Sequence, residues 1–422
     1  MKDTLLLKNG NVILENDIVK GDILIEEGVI TSSFSGKRKY REIDCKDLFI
    51  CPGFVDIHCH FRDPGFTHKE DIVTGLLSAA SGGITAVCTM PNTNPICDSP
   101  DILEYQIEKS RGVNGVKLFP ISAMTVGEKG EIPVNFSEMK SSGAVGFSDD
   151  GRCVQESGLA FKIAKEIKKI NSVFIDHCED YSLSSGGVVT DGVISKRFNL
   201  PPQNPMSEEI IVARDILLAE NVGIKVHLQH ISTKKSVDLI RWAKKRGLKV
   251  TFEVTPHHIY FSEKDIDINN SNFKMNPPLR GEEDRLALIK AIRDGVVDII
   301  ASDHAPHTKD EKEKGFMDAP FGIIGLETLV PVVMTLLYHK EGIKMNEIVR
   351  LLSLNPARII GIERNLDEGS EANITVIDPN KKSLITESFF HSKSKNSPFI
   401  GKEFIGKAVC AIASGRISHI EI

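Results

Sequence analysis

The rhythm of apolar and polar positions changes twice along the chain. Over the first fifty residues, in stretches such as "GDILIEEGVI", apolar and polar residues alternate between Gly and Asn-Asp punctuation. That pattern predicts short antiparallel strands with one buried face. From residue 53 the alternation gives way to apolar β runs: "GFVDIHCHF", "ITAVCTMP", "GVKLFPIS", "GAVGFSDD", "SVFIDHC", "IKVHLQHIS", "KVTFEVTPHH" and "VDIIASDHAP". Helical patterns separate several of them. "MSEEIIVARDILLAENVG" offers Ser207 as an N-cap, acids in its first turn and Gly223 after its end. "TKKSVDLIRWAKKRGLK" ends at Gly247 and feeds the next run. After about residue 365 the β texture returns in "EANITVIDPN" and "KAVCAIASGRISHIEI".

Eight apolar runs alternating with helices predict an α/β fold, a TIM-like (β/α)8 barrel over residues 51–365, with chemistry where the strands end. Residues 1–50 and 366–422 are expected to join in one small β-sandwich domain built from both chain termini.

Composition narrows the class. The 422 residues are 41% apolar and 26% charged, ordinary for a soluble globular protein. A formal charge of -6 argues against nucleic acid as the main partner. No apolar stretch approaches membrane length, and Met1-Lys2-Asp3 begins no signal peptide. The eight cysteines lack zinc-finger spacing and read as reduced thiols of a cytoplasmic protein. Cys59 falls between two histidines, where strand alternation turns it away from them into packing.

What the runs end with changes the picture most. Run one ends in His58, His60 and Arg62, and run two in Asn92. Run four ends in Asp149 and Asp150, run five in His177 and run six in His230. Run seven closes on His257 and His258, and run eight on Asp303, His304 and His307. Barrel closure brings all these ends to one rim. A strand repeats every two residues, so His58, His60 and Arg62 are expected on one inward face. An isolated H-x-H is more often two satisfied core histidines; joined to Asp150, His177, His230 and Asp303 it becomes a metal site. Imidazole and carboxylate suit zinc and similar ions, and six ligands exceed one four-coordinate site.

Two divalent metals are therefore expected, most simply zinc. His58, His60 and Asp303 would hold one, and His177 and His230 the other, with a carboxylate bridging them. Such a pair can share a water and strip its proton, and Asp303 can then carry that proton to the leaving group. Hydrolysis of an amide or similar bond follows. Adjacent residues point to opposite faces, so only one of Asp149 and Asp150 should bridge. Lys117 in "GVKLFP", if carboxylated, is a further candidate for the bridge.

"GFVDIHCHFRDPG", "SDDG", "EVTPHH", "KMNPPLR" and "SDHAPH" resemble the amidohydrolase superfamily, and within it the dihydroorotases of the bacterial and archaeal type with an aspartate in the metal centre. The resemblance covers most of the chain. It implies reversible cyclisation of N-carbamoyl-L-aspartate to L-dihydroorotate in pyrimidine synthesis. By resemblance the metal ligands fall on His58, His60, Asp150, His177, His230 and Asp303. Arg62 and Asn92 then resemble the clamp on the substrate carboxylate, and an arginine fork suits that anion. Asn276, His307 and the backbone around Gly322 resemble the rest of the pocket. A homodimer and an association with aspartate carbamoyltransferase are the partner expectations that accompany it. The alternatives are another cyclic-amide hydrolase (a hydantoinase, dihydropyrimidinase or allantoinase) or an inactive structural partner of the carbamoyltransferase.

The segment after Asp303, "HAPHTKDEKEKGFMDAPFG", is long for a βα loop. Its charge run reads as a solvated excursion, and part of the loop is expected to fold over the substrate, bringing in His307. His227, three residues from His230, is expected on the opposite strand face in a structural role. One of His257 and His258 is expected to support the site from behind.

Overall fold

The computed structural model describes residues 4–33 and 40–422. Met1-Lys2-Asp3, on which the signal-peptide reading rests, lies outside the described residues.

The apolar runs form the ring expected of them. Strands Phe54–Cys59, Ile84–Thr89 and Lys117–Pro120 pair in parallel, as do Val173–Asp176, Lys225–Leu228, Val250–Val254 and Ile299–Ile300. The fourth run, "GAVGFSDD", departs from expectation. It makes no ladder and joins its neighbours only through single bridges of Phe147 to Ser122 and Phe174. Gly143 at φ +113 and Gly146, whose missing Cβ leaves room for Ile175, make it a poor strand former. The ring closes where Cys59 bridges His304 and the His60 N–H donates to the His304 carbonyl at 2.8 Å. Cys59 itself is fully buried in apolar packing, as its alternation requires. All eight cysteines are free and buried.

The helix after the fifth strand runs Met206–Val222 and ends on Gly223 at φ +69, as predicted. Its N-cap is Pro205 rather than Ser207, which lies one residue inside the helix. Pro205 already has helical dihedrals, and the Asn204 side chain accepts the Met206 N–H at 2.9 Å. Lys234–Lys245 is capped by Thr233 and stops just before Gly247.

The two terminal regions meet in one eight-stranded sheet. Leu5–Ile13 lies beside Ile18–Glu26 on one edge and beside Arg41–Asp44 and Phe49–Pro52 on the other; the last of these pairs with Ile374–Leu384 from the C-terminal region. Its apolar side chains, among them Leu5, Leu7, Ile25, Ile50, Val376 and Ile412, form a cluster separate from the barrel's. The antiparallel expectation holds for most pairs but not for Arg41–Asp44 and Phe49–Pro52, which run parallel to Leu5–Ile13. Between Leu384 and Glu403 the chain leaves the sheet and reaches the barrel, where the Ser394 hydroxyl donates to the Lys69 carbonyl at 2.7 Å. Among the described residues no helix is long and apolar enough to cross a membrane.

Candidate active site

Strand Phe54–Cys59 is buried along its whole length, and it sends His58 into the ring. His60 stands one residue past the strand's end. Each ring has one nitrogen committed. His58 Nδ1 lies 2.5 Å from Glu253 Oε1, and His60 Nδ1 lies 2.8 Å from Asn92 Oδ1. Those oxygens only accept, so Nδ1 carries the proton and the Nε2 lone pair is free. His58 Nε2 faces Asp150 Oδ1 at 3.4 Å and Asp303 Oδ1 at 3.5 Å. His60 Nε2 faces Asp150 Oδ2 and Asp303 Oδ1, both at 3.3 Å.

His177 is set the other way round. Its Nε2 donates to Glu179 Oε2 at 2.8 Å, which presents Nδ1 to His230 Nε2 at 2.8 Å and to Asp150 Oδ1 at 3.7 Å. His230 Nε2 lies 4.0 Å from the same oxygen. Asp150 thus stands between the histidines, one oxygen toward His60 and the other toward the remaining three. Its buried Oδ1 has no hydrogen-bond partner. Asp149 points elsewhere and accepts from the Met124 and Thr125 N–H groups at 2.7 and 3.0 Å. Lys117 lies at the start of its strand, away from the rim, paired with Glu371 at 2.6 Å.

Charge favours a cation here. Burial opposes ionisation of Asp150 and Asp303, yet the neighbouring histidines hold both carboxyls well below their usual range. Glu253, also buried, is held at about 2 by His58 and His227. Burial, with His177 and His58 close by, lowers His230 to about 3 and keeps it neutral. His58 goes the other way: against burial, Glu253, Asp150 and Asp303 raise it. A place where three carboxylates retain a proton is one a metal ion can take over. His58, His60 and Asp303 form one group whose ligand atoms lie within 4.8 Å of one another, and His58, Asp150 and His230 form a second. Imidazole nitrogens turned inward, ionised carboxylates and an orphaned buried oxygen fit two divalent ions, which would displace the proton that the carboxylates favour on His58.

These groups open onto a cavity of about 240 Å³, lined also by Arg62, Asn92, Asn276, His307, Phe321 and Gly322. Every residue expected at the site except His58 borders it. Arg62 arrives by a route that strand alternation does not supply. The strand has ended at Cys59, and Arg62 takes φ +59, a left-handed conformation that swings its side chain inward. His230 and Asp303 are strained in the same sense, at φ +31 and +46. Arg62 Nε donates to the Pro306 carbonyl at 3.3 Å. Burial lowers its guanidinium to about 10, leaving it charged at neutral pH.

The other pocket residues are partly committed. Asn92 uses Oδ1 on His60, and its Nδ2 reaches Asp150 Oδ2 only at 3.5 Å, at the edge of the cavity. Asn276 donates to Glu179 at 2.8 Å and accepts from Gln203 at 3.0 Å. His307 Nε2 donates to the Phe321 carbonyl at 2.8 Å. The Gly322 N–H donates to the Lys274 carbonyl at 3.0 Å. A Cβ on Gly322, at φ +120, would meet the Ala305 side chain at 2.6 Å, so only glycine fits.

Three residues carry weight that their motifs did not disclose. Glu253 and Glu179 orient His58 and His177, and Lys312, inside the charge run, is only 5% exposed. Glu253 had a legible signal, a lone acid within the apolar run "KVTFEV". His227 also bonds Glu253, at 3.0 Å, so it reaches the site through that carboxylate. His257 and His258 lie on a short helix, Pro256–Tyr260, rather than at a strand end. His258 Nε2 donates to the Pro277 carbonyl at 2.9 Å, beside Asn276.

A closed (β/α)8 barrel with four histidines and two aspartates gathered at its C-terminal rim, joined to a β domain built from both terminal regions, defines a member of the amidohydrolase superfamily. The chain is similar over its whole length to the L-hydantoinase (dihydropyrimidinase) of Arthrobacter aurescens, with a TM-score of 0.87, 25% identity and coverage of 100% of this chain and 96% of that one. It shares the fold of the dihydropyrimidinase of Brevibacillus agri NCHU1002, with a TM-score of 0.85, 20% identity and coverage of 100% and 95%. Sequence is more specific. Residues 48–236 match the dihydro-orotase-like family. The chain is 41% identical over 420 residues to a dihydroorotase of Aquifex aeolicus, covering 98% of this chain and 99% of the relative. It is 42% identical over 420 residues to one of Thermoanaerobacter sp., covering 98% and 97%. The chain belongs to the dihydroorotase family.

Proposed function

We propose that the protein is a dihydroorotase, interconverting N-carbamoyl-L-aspartate and L-dihydroorotate in pyrimidine synthesis. The observation that carries this reading is Arg62, a partly buried cation sharing one cavity with the histidine–aspartate cluster. A neutral ring such as hydantoin has no use for that charge, whereas dihydroorotate brings a carboxylate to it.

In this reading His58, His60, Asp150, His177, His230 and Asp303 hold two divalent cations, most simply zinc. Bound there, the ions would polarise the ring carbonyl and make a water acidic enough to attack near neutral pH. Arg62 and the Asn92 amide N–H hold the substrate carboxylate and fix the face that the ring presents. Asn276, His307 and the backbone around Gly322 bound the rest of the pocket. Glu253, Asn92 and Glu179 keep the three imidazoles in the tautomer that leaves a lone pair facing inward. Asp303 turns Oδ1 to His58 and His60, leaving Oδ2 for the reacting atoms. As the water oxygen adds to the carbonyl carbon, Asp303 takes its proton. As the carbon–nitrogen bond breaks, Asp303 returns the proton to the leaving nitrogen. Cyclisation is the reverse and releases water.

One assay tests the reading: ring opening of dihydroorotate, hydantoin and allantoin by the same preparation, with and without chelator. Chelator-sensitive turnover of dihydroorotate alone is expected. Turnover of hydantoin or allantoin in preference would give the protein to the hydrolases whose fold it shares. The same reading includes a homodimer and association with aspartate carbamoyltransferase, which light scattering of the protein alone and mixed with that enzyme would test.

A further inference from the structure

The mouth of the cavity is made by a loop whose shape is set from outside the barrel. We propose that Asn396, in the segment that leaves the terminal sheet, is a positioning residue that locks residues 305–322 into their substrate-binding form. The inference rests on the functional reading above.

Asn396 is 4% exposed and uses its whole amide. Nδ2 donates to the Ala305 and Gly322 carbonyls, each at 3.1 Å, and Oδ1 accepts from the His307 N–H at 3.1 Å. Its own carbonyl accepts from the Ile324 N–H at 3.0 Å. The residue therefore ties the start of the loop to its end. Two donors and one acceptor on a single short side chain are what an amide offers, and an aspartate has the acceptor alone.

The consequences run inward. Fixing the His307 backbone fixes the ring that donates to Phe321, and that ring lies against Arg62, with Nε2 3.4 Å from Nη2. Gly322 is held twice, since its carbonyl also accepts from Lys312 Nζ at 3.1 Å. Lys312 further donates to the Pro320 carbonyl at 2.9 Å, which pins the loop's far limb. The segment carrying Asn396 is anchored in turn. Ser392 donates to Glu70, and the Lys393 N–H reaches the same carboxylate at 3.2 Å. None of these atoms belongs to the histidine–aspartate cluster. Loss of the clamp should therefore blur the carboxylate-binding wall and leave the metal ligands in place.

The test is Asn396→Asp, which keeps the acceptor for His307 and sets an oxygen against two carbonyls. Losing those bonds should raise KM for dihydroorotate about tenfold with kcat and metal content close to wild type. Hydrogen exchange of peptides covering 305–324 should quicken while the rest of the barrel keeps its protection. Asn396→Ser, where water can fill the gap, gives the same readings if the aspartate variant does not fold. Unchanged KM and unchanged exchange in 305–324 would overturn the proposal. So would lost metal and uniformly faster exchange, because a merely structural asparagine would act that way. Exchange needs no substrate. A wild-type protein inert on dihydroorotate would sink the functional reading, while local deprotection would still uphold the clamp.

Discussion

Glu253→Gln is the most informative single change. The two carboxylate oxygens divide their work: Oε1 takes the proton of His58 Nδ1 at 2.5 Å and the His230 N–H at 3.2 Å, while Oε2 takes His227 Nε2 at 3.0 Å. Glutamine can keep its oxygen on the His58 side. Its amide nitrogen then faces His227, which can change tautomer because its other nitrogen lies 3.0 Å from the Thr251 hydroxyl, able to accept as well as donate. The bond count survives, and only the charge is lost. A charge-assisted bond exceeds a neutral one by about 1–1.5 kcal/mol, which is about tenfold in affinity for the ion ligated by His58. That agrees with the range of about 10–100-fold for residues that orient metal ligands. Titrating the apo-variant with metal against a competing chelator measures it directly, and thermal unfolding with and without metal separates affinity from folding. A change smaller than twofold would refute the idea that Glu253 tunes His58.

Other outcomes follow from the same geometry. Arg62→Met should raise KM for dihydroorotate by about 30–100-fold, the worth of a charge-assisted pair, with metal content unchanged; steady-state kinetics decides. Asp303→Asn should lower kcat by about 10²–10⁴, the usual contribution of a positioned base, in a single-turnover assay on metal-loaded protein. Asp150→Ala should lose metal, whereas Lys117→Ala, whose amine pairs with Glu371 away from the rim, should keep full occupancy by elemental analysis. Full occupancy after loss of Asp150 would overturn its assignment.

Periodicity made the ring and its ligand-bearing ends readable, because strands covered on both faces leave long apolar runs and any polar residue among them stands out. His58 and His60 were visible for that reason. Arg62 reaches the cavity through a positive φ, which strand alternation does not encode. The fourth run has the apolar texture of a strand, but two glycines leave it single bridges instead of a ladder. Lys312 sits in a charge run that reads as solvated, and only three-dimensional packing surrounds its ammonium with carbonyls. Ser207 has the chemistry of a cap but lies two residues past the cap position, Pro205. Asn396 has no local signature, because its partners lie more than seventy residues away in sequence.

The bridge of Cys59 to His304 has a consequence for how the protein is made. His58 and His60 emerge early from the ribosome, and Asp303 comes only after nearly the whole barrel has been synthesised. Until that last strand docks against the first, the two histidines have Asp150 but lack Asp303, and an ion they capture has an incomplete cage. With the proposed ligand set, metal loading would come late in biogenesis, and an ion that prefers the finished ring would draw the nascent chain toward closure. Cells starved of the metal would accumulate an open, protease-sensitive barrel before they showed a loss of intrinsic rate.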